Sequence, residues 1–234
     1  MKSDIEEEIQ KLKERDDLEA LAIVGSYARN PDQEHNDIDI LAIINGEWRK
    51  RATKQKENGL VIEIFYNSRK WFEKYIEKNI NPDENWNAYH WLQNADIRKD
   101  PNNLFKEFRE KAEEQKEQCF DSFNEDEFLY YIWDYQQDLE ISDVGQKRHL
   151  MNELFNYLIN QHFIRNRQPL VKENYKLAKL KEFDGYMYKN AQEFLTESST
   201  MKKQEKLDKM IKKATKGLSD PKPDWETSKE DYTK

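Results

Sequence analysis

Cysteine is almost missing from this chain: Cys119 stands alone, which excludes any internal disulfide. Long apolar runs are missing too, and no stretch of the 234 residues approaches the ~18 that a membrane-spanning helix needs. Histidine is scarce, with 4 in the chain, and no His and Cys cluster at ligand spacing offers a zinc or iron site. Net positive charge is lacking as well, since 47 Asp plus Glu stand against 39 Lys plus Arg. A nucleic-acid backbone is gripped by a concentrated basic surface, so general nucleic-acid binding is disfavoured. The opening residues 1–8 are acidic and helical in pattern rather than a signal peptide, which makes the cytoplasm the expected location.

Charged residues make up 37% of the chain and hydrophobic ones 36%, so a core must lean on the 12% that are aromatic. The length allows one large domain or two small ones, and the patterns favour two. Ile5, Ile9 and Leu12 repeat at helical spacing and predict an opening helix that packs on a sheet. Residues 20–24, 38–44 and 60–66 are short apolar runs that read as buried strands. Residues 67–79 carry Trp71, Phe72, Tyr75 and Ile76 on one helical face, Trp86, Tyr89 and Trp91 follow in a further apolar segment, and residues 95–98 suggest a short edge strand. From Phe123 onward the pattern is helical, with Leu150, Met151, Leu154, Phe155, Leu158, Ile159 and Phe163 at three- and four-residue intervals. His162 on that stripe reads as a core or interface histidine. Residues 201–218 read as a solvated last helix with Leu207, Met210 and Ile211 as a thin apolar stripe. The expected architecture is an α/β (α+β) domain with a small mixed sheet over residues 1–118, an all-α helical bundle over 119–218 and a polar flexible tail over 219–234.

The chemistry is carried by one spacing. Gly25-Ser26 closes the first strand, and Asp37-Ile38-Asp39 opens the second after ten intervening residues. Residues two apart on a strand face the same way, so Asp37 and Asp39 present adjacent carboxylates that repel unless a cation lies between them. Glu63 stands alone in the apolar third strand, and a buried Glu needs a partner. The simplest is the same cation, which makes Asp37, Asp39 and Glu63 an oxygen cage suited to Mg2+. At the other end, Gly25 lets backbone approach a ligand closely, and the Ser26 hydroxyl and following amides can hold phosphate oxygens. A metal beside a phosphate cradle implies a nucleoside triphosphate.

The pattern G-S-x10-D-x-D with a later lone acid on an apolar strand resembles the nucleotidyltransferase superfamily that includes DNA polymerase beta, over roughly residues 18–66. Within it the chain resembles the bacterial aminoglycoside and lincosamide nucleotidyltransferases, in which such a domain precedes a helical bundle. Many members carry a second Gly shortly after Gly-Ser; here that stretch is Tyr27-Ala28-Arg29-Asn30. The resemblance implies Mg2+-dependent transfer of AMP from ATP to a hydroxyl, with release of pyrophosphate. Asp37 and Asp39 would hold the metal, and Glu63 would complete the cage or accept the hydroxyl proton. Gly25 and Ser26 would bind the nucleotide, and Lys172 and Lys176 would reach its β- and γ-phosphates, as lysines do in similar bundles. Asp134, an acid on an otherwise apolar helix, is a second candidate base. An acidic protein steers cations at long range, which favours a small cationic acceptor such as an aminoglycoside. The alternatives are a toxin-antitoxin type enzyme that modifies a protein or RNA, and a catalytically inactive nucleotide-binding module. A monomer or homodimer is expected.

Overall fold

In the computed structural model, which describes residues 2–223 and 226, the chain divides into two units, Met1–Gln118 and Cys119–Lys234. The first unit begins with helix α1, Lys2–Lys13, and strand β1, Leu18–Val24. A five-residue helix α2, Gly25–Arg29, leads to β2, Asp37–Ile44, β3, Arg49–Gln55, and β4, Val61–Ser68. Helices α3, Arg69–Asn79, and α4, Asn87–Gln93, precede β5, Asp96–Lys99, and α5, Leu104–Asp121, which crosses the division. The five strands form one mixed sheet in the order β3-β4-β2-β1-β5, with β2 and β4 parallel and the other pairs antiparallel.

One face of this sheet packs on α1 in a single core cluster. Ile38 and Ile40 of β2 and Ile62 and Ile64 of β4 point the same way and share a cluster with Ile5, Ile9 and Leu12 of α1. Burying each such side chain contributes about 1.5–3 kcal/mol. Glu8, 2% exposed on the inner side of α1, is paired with Lys54 of β3 and lies 3.6 Å from Lys56 Nζ. An unpaired carboxylate there would carry a large desolvation cost.

Strand β3 is absent from the sequence expectation. Its residues Arg49-Lys50-Arg51-Ala52-Thr53-Lys54-Gln55 are almost all exposed and carry no apolar period. The strand is held by its ladder to β4, and as a charged edge it resists pairing with a second chain. Helix α3 starts later than expected because Asn67 and Ser68 still pair with Ile43 and Ile44, after which Ser68 caps the helix by accepting from the Trp71 N–H. Phe72, Ile76 and Asn79 are its buried residues, while Trp71 is 39% exposed and leaves the expected apolar face. Asp100 starts α5, its two carboxylate oxygens accepting from the Leu104 and Phe105 N–H groups at 2.8 and 3.0 Å.

The second unit holds α6, Glu125–Ile141, α7, Val144–Arg165, α8, Glu173–Phe183, α9, Gly185–Thr196, and α10, Thr200–Ala214. Helix α7 lies against α6 and α10, and α9 against α8 and α10. Met151, Leu154, Phe155, Leu158, Ile159 and Phe163 form the buried stripe of α7, and Leu207, Met210 and Ile211 that of α10. The expected tail lies outside the described residues beyond 223, Glu226 excepted. A mixed-sheet α/β unit followed by helices is the fold class expected from the sequence. Among the described residues no helix is long and apolar enough to cross a membrane.

His162 is a core histidine. It is buried, with Nε2 3.1 Å from Asp184 Oδ2, and Lys213 Nζ lies 3.2 Å from the same oxygen. Burial holds the His162 pKa below its ordinary 6.5, against the pull of Asp184. Asp184 is itself held below 3.8: burial acts to raise it, but the Met187 N–H, Lys213 and His162 outweigh that. The unfolded chain therefore binds protons more readily than the folded one at both groups. The stability that His162 contributes is full above pH 6.5 and is lost as pH falls through its depressed pKa. The Asp184 contribution is lost only below pH 3.8. The urea midpoint of the full chain is expected to fall between pH 7.5 and about pH 5, and to fall less in His162→Gln. Equal falls in both proteins would refute the assignment to His162.

Candidate active site

Strand β1 ends at Val24, and the chain turns into α2 through Gly25, whose φ of +77° lies in the left-handed region that favours glycine. A second reason for glycine is steric. A Cβ at position 25 would overlap Asp39 Oδ2 and lie 3.1 Å from Asp39 Cγ. The β1–β2 register sets Val24 opposite Asp39, and the β2–β4 register sets Asp37 opposite Val61 and Asp39 opposite Glu63. Asp37, Asp39 and Glu63 therefore share one face of the sheet, the face away from α1. Asp37 is exposed and Asp39 half-buried, whereas β2 is wholly buried from Ile40 onward. The carboxylates occupy the open end of a face whose other end is packed.

Glu63 differs from the sequence expectation. Strand β4 alternates, with Ile62, Ile64, Tyr66 and Ser68 buried and Val61, Glu63, Phe65 and Asn67 half-buried, so Glu63 is not enclosed in the core. Its partner is a guanidinium: both carboxylate oxygens accept from Arg51 Nη2 at 2.6 Å. Arg51 comes from β3, opposite Phe65, with its guanidinium 5.3 Å from that ring's centroid. Among the described residues, no group of three His, Cys, Asp or Glu side chains is gathered as a metal would need. In this structure Glu63 is thus engaged by Arg51, beside Asp39 in the β2–β4 register. Asp37 and Asp39 are hard oxygen donors on an open face, and that donor set fits Mg2+.

Ser26 Oγ lies 3.4 Å from His35 Nδ1, and His35 Nε2 lies 2.7 Å from the Asn30 carbonyl oxygen. With Nε2–H donating to Asn30, Nδ1 is left to accept from the Ser26 hydroxyl. A phosphate oxygen at Ser26 would compete with His35, a residue the sequence reading did not single out. The remaining expected residues belong to the helical unit. Lys172 is exposed at the start of α8, and buried Lys176 donates to Asn160 Oδ1 at 2.7 Å and to Glu173. Asp134 is half-buried on α6.

Two hollows are lined by residues that neighbour the acids in sequence or hydrogen bonding. One of about 680 Å³ is lined by His35 and Asn36, just before Asp37, with Gly59 and Leu60, just before β4. The other, of about 440 Å³, is lined by Arg49, Arg51, Phe65, Asn67, Tyr75 and Trp91 among others. The sequence signal that could have found the second is the basic run Arg49-Lys50-Arg51 ahead of the Glu63 strand.

A family model described as a nucleotidyltransferase domain matches residues 5–160, which takes in the sheet, both aspartates and most of α7. The chain belongs to that family. Among solved structures, a nucleotidyltransferase-like protein from Exiguobacterium sibiricum 255-15 is similar at 12% identity and a TM-score of 0.50, covering 88% of this chain and 74% of that one. At that identity the likeness is one of fold. No curated protein matches the chain.

In a nucleotidyltransferase domain with this packing, Gly25→Ala should be costly in two ways. The left-handed backbone is strained by about 1–3 kcal/mol. The new methyl group must also displace the Asp39 carboxylate. A lowered urea midpoint together with lost activity is expected. A Gly25→Ala variant as stable and active as the parent would show that the Gly25 to Asp39 approach is unimportant.

Proposed function

We propose that this nucleotidyltransferase-family protein transfers AMP from ATP to a hydroxyl of a small acceptor in a Mg2+-dependent reaction. The observation that carries the reading is the packing of Asp39 between Gly25 and Glu63 on an open sheet face. When bound by Asp37 and Asp39, Mg2+ would supply positive charge against the triphosphate. Gly25 allows close backbone approach, and Ser26 donates to a phosphate oxygen in place of its bond to His35.

In the transfer itself the acceptor hydroxyl oxygen bonds to the α-phosphorus as the bond to the β-phosphate oxygen breaks. Pyrophosphate leaves with that electron pair. The hydroxyl proton goes to the Glu63 carboxylate, which lies one strand from Asp39 and must first loosen its bonds to Arg51. The net charge of −8 favours a cationic acceptor such as an aminoglycoside at long range. Screening over about 8 Å at physiological salt leaves contact groups to decide, and on the β3 side of Glu63 that group is Arg51.

Incubation with α-labelled ATP, Mg2+ and a panel of hydroxyl acceptors should give labelled adduct and pyrophosphate with at least one of them. Asp37→Asn and Asp39→Asn should each lower turnover by about a hundredfold or more while the protein stays folded. Near-normal turnover in either variant would refute the two-carboxylate site. Glu63→Gln separates two roles. Loss of a proton acceptor should flatten the pH dependence of kcat, whereas loss of a metal ligand should be partly rescued by high Mg2+.

A further inference from the structure

We propose that the cavity on the far side of Glu63 from Gly25 is the acceptor subsite, and that it takes a planar aromatic molecule bearing an anionic group. This rests on the transferase reading for its role and on the cavity for its chemistry. The cavity measures about 440 Å³, within the ~300–1,000 Å³ range of small-molecule sites. Its apolar wall is aromatic, with Phe65 and Trp91 ring centroids 4.9 Å apart and Tyr75 and Trp91 6.1 Å apart. Its polar wall is cationic: Arg49, Lys50 and Arg51 line it, and among the described residues no Asp or Glu does. Arg49 also has its guanidinium 4.6 Å from the Trp71 ring centroid, and its planar fork suits a carboxylate or phosphate.

Position ties the cavity to the reaction. Phe65 is two residues beyond Glu63 on β4, about 7 Å along the strand on the same face. A ring against Phe65 and Trp91 therefore brings its substituents within reach of Glu63. Gly25 and Ser26 lie beyond Asp39 on the other side, so nucleotide and acceptor would approach the carboxylates from opposite directions. Arg51 links the two functions, since its guanidinium lines the cavity and also covers Glu63. An anion in the cavity competes for Arg51 and frees the carboxylate.

The test is calorimetric titration of nucleotide-free, metal-free protein with 6-hydroxy-2-naphthoate, 2-naphthyl phosphate, 2-naphthylmethylamine, adenosine and kanamycin. One or both anionic probes should bind, and which one does tells carboxylate from phosphate. Affinity should fall about tenfold or more in Arg49→Gln, an exposed site that should not disturb folding. It should fall likewise in Trp91→Leu, with Trp91→Phe as the milder change if the first melts early. Failure of both anions to bind, binding unaffected by Arg49→Gln, equal binding of the amine, or displacement of the anion by adenosine would each overturn the proposal. Binding of 6-hydroxy-2-naphthoate without transfer to its hydroxyl from Mg-ATP would instead count against the transferase reading. Turnover of kanamycin but not of 6-hydroxy-2-naphthoate would leave the transferase standing and reject the subsite.

Discussion

The close approach of Asp39 to Gly25 is the constraint on which the candidate site depends. A side chain at position 25 would occupy the space of the Asp39 carboxylate. The approach exists because β1 and β2 are antiparallel, with Val24 opposite Asp39, so the end of one strand meets the start of the other. The parallel pairing of β2 with β4 then sets Glu63 beside Asp39. A register slip of one residue in β2 would turn Asp37 and Asp39 into the core and expose Ile38 and Ile40. The apolar residues thus fix where the acids point.

That specification rests on an unequal division of labour between the two sheet faces. The face under α1 buries Ile23, Ile38, Ile40, Ile62 and Ile64, each contributing about 1.5–3 kcal/mol. The open end of the other face holds neighbouring carboxylates and a left-handed glycine turn, which stabilise little. Glu8 and Lys54 show how charge is accommodated on the core side, by pairing across from α1 to the edge strand. Glu63 and Arg51 do the same on the open side. Strand β3 supplies the cation in both cases, on alternate faces.

Strands β1, β2 and β4 were legible in the sequence because their apolar runs are bounded by polar segments, and the Gly25-Ser26 to Asp37-Ile38-Asp39 spacing set the ends of β1 and β2 side by side, where Gly25 approaches Asp39. Strand β3 was not legible, because an edge strand lying between solvent and β4 needs no apolar period. Arg51 was missed with it. The burial of Glu63 was misjudged for a related reason: in Leu60-Val61-Ile62-Glu63-Ile64-Phe65-Tyr66 apolar side chains occur on both faces, and only the packing of α1 decides which face is covered. Helical stripes such as Leu154 to Phe163 read correctly, since their period carries the signal. The buried bond of Lys176 to Asn160 joins two helices, and spacing within α8 could not reveal it. Net charge likewise says nothing of a local cluster of arginines.

The Arg51–Glu63 pair connects these strands of reasoning. Its side chains are 60% and 20% exposed, and ion pairs in such settings are worth about 0–1 kcal/mol. A pair this weak keeps Glu63 neutralised beside Asp39 while no substrate is bound, yet yields readily to a better anion. In the proposed reaction, an incoming carboxylate or phosphate that took Arg51 would leave Glu63 uncovered next to the acceptor hydroxyl. A buried, tightly satisfied pair of the Glu8 kind could not exchange partners at so small a cost. The exposure of β3, which hid the strand from the sequence, is what makes its arginine exchangeable.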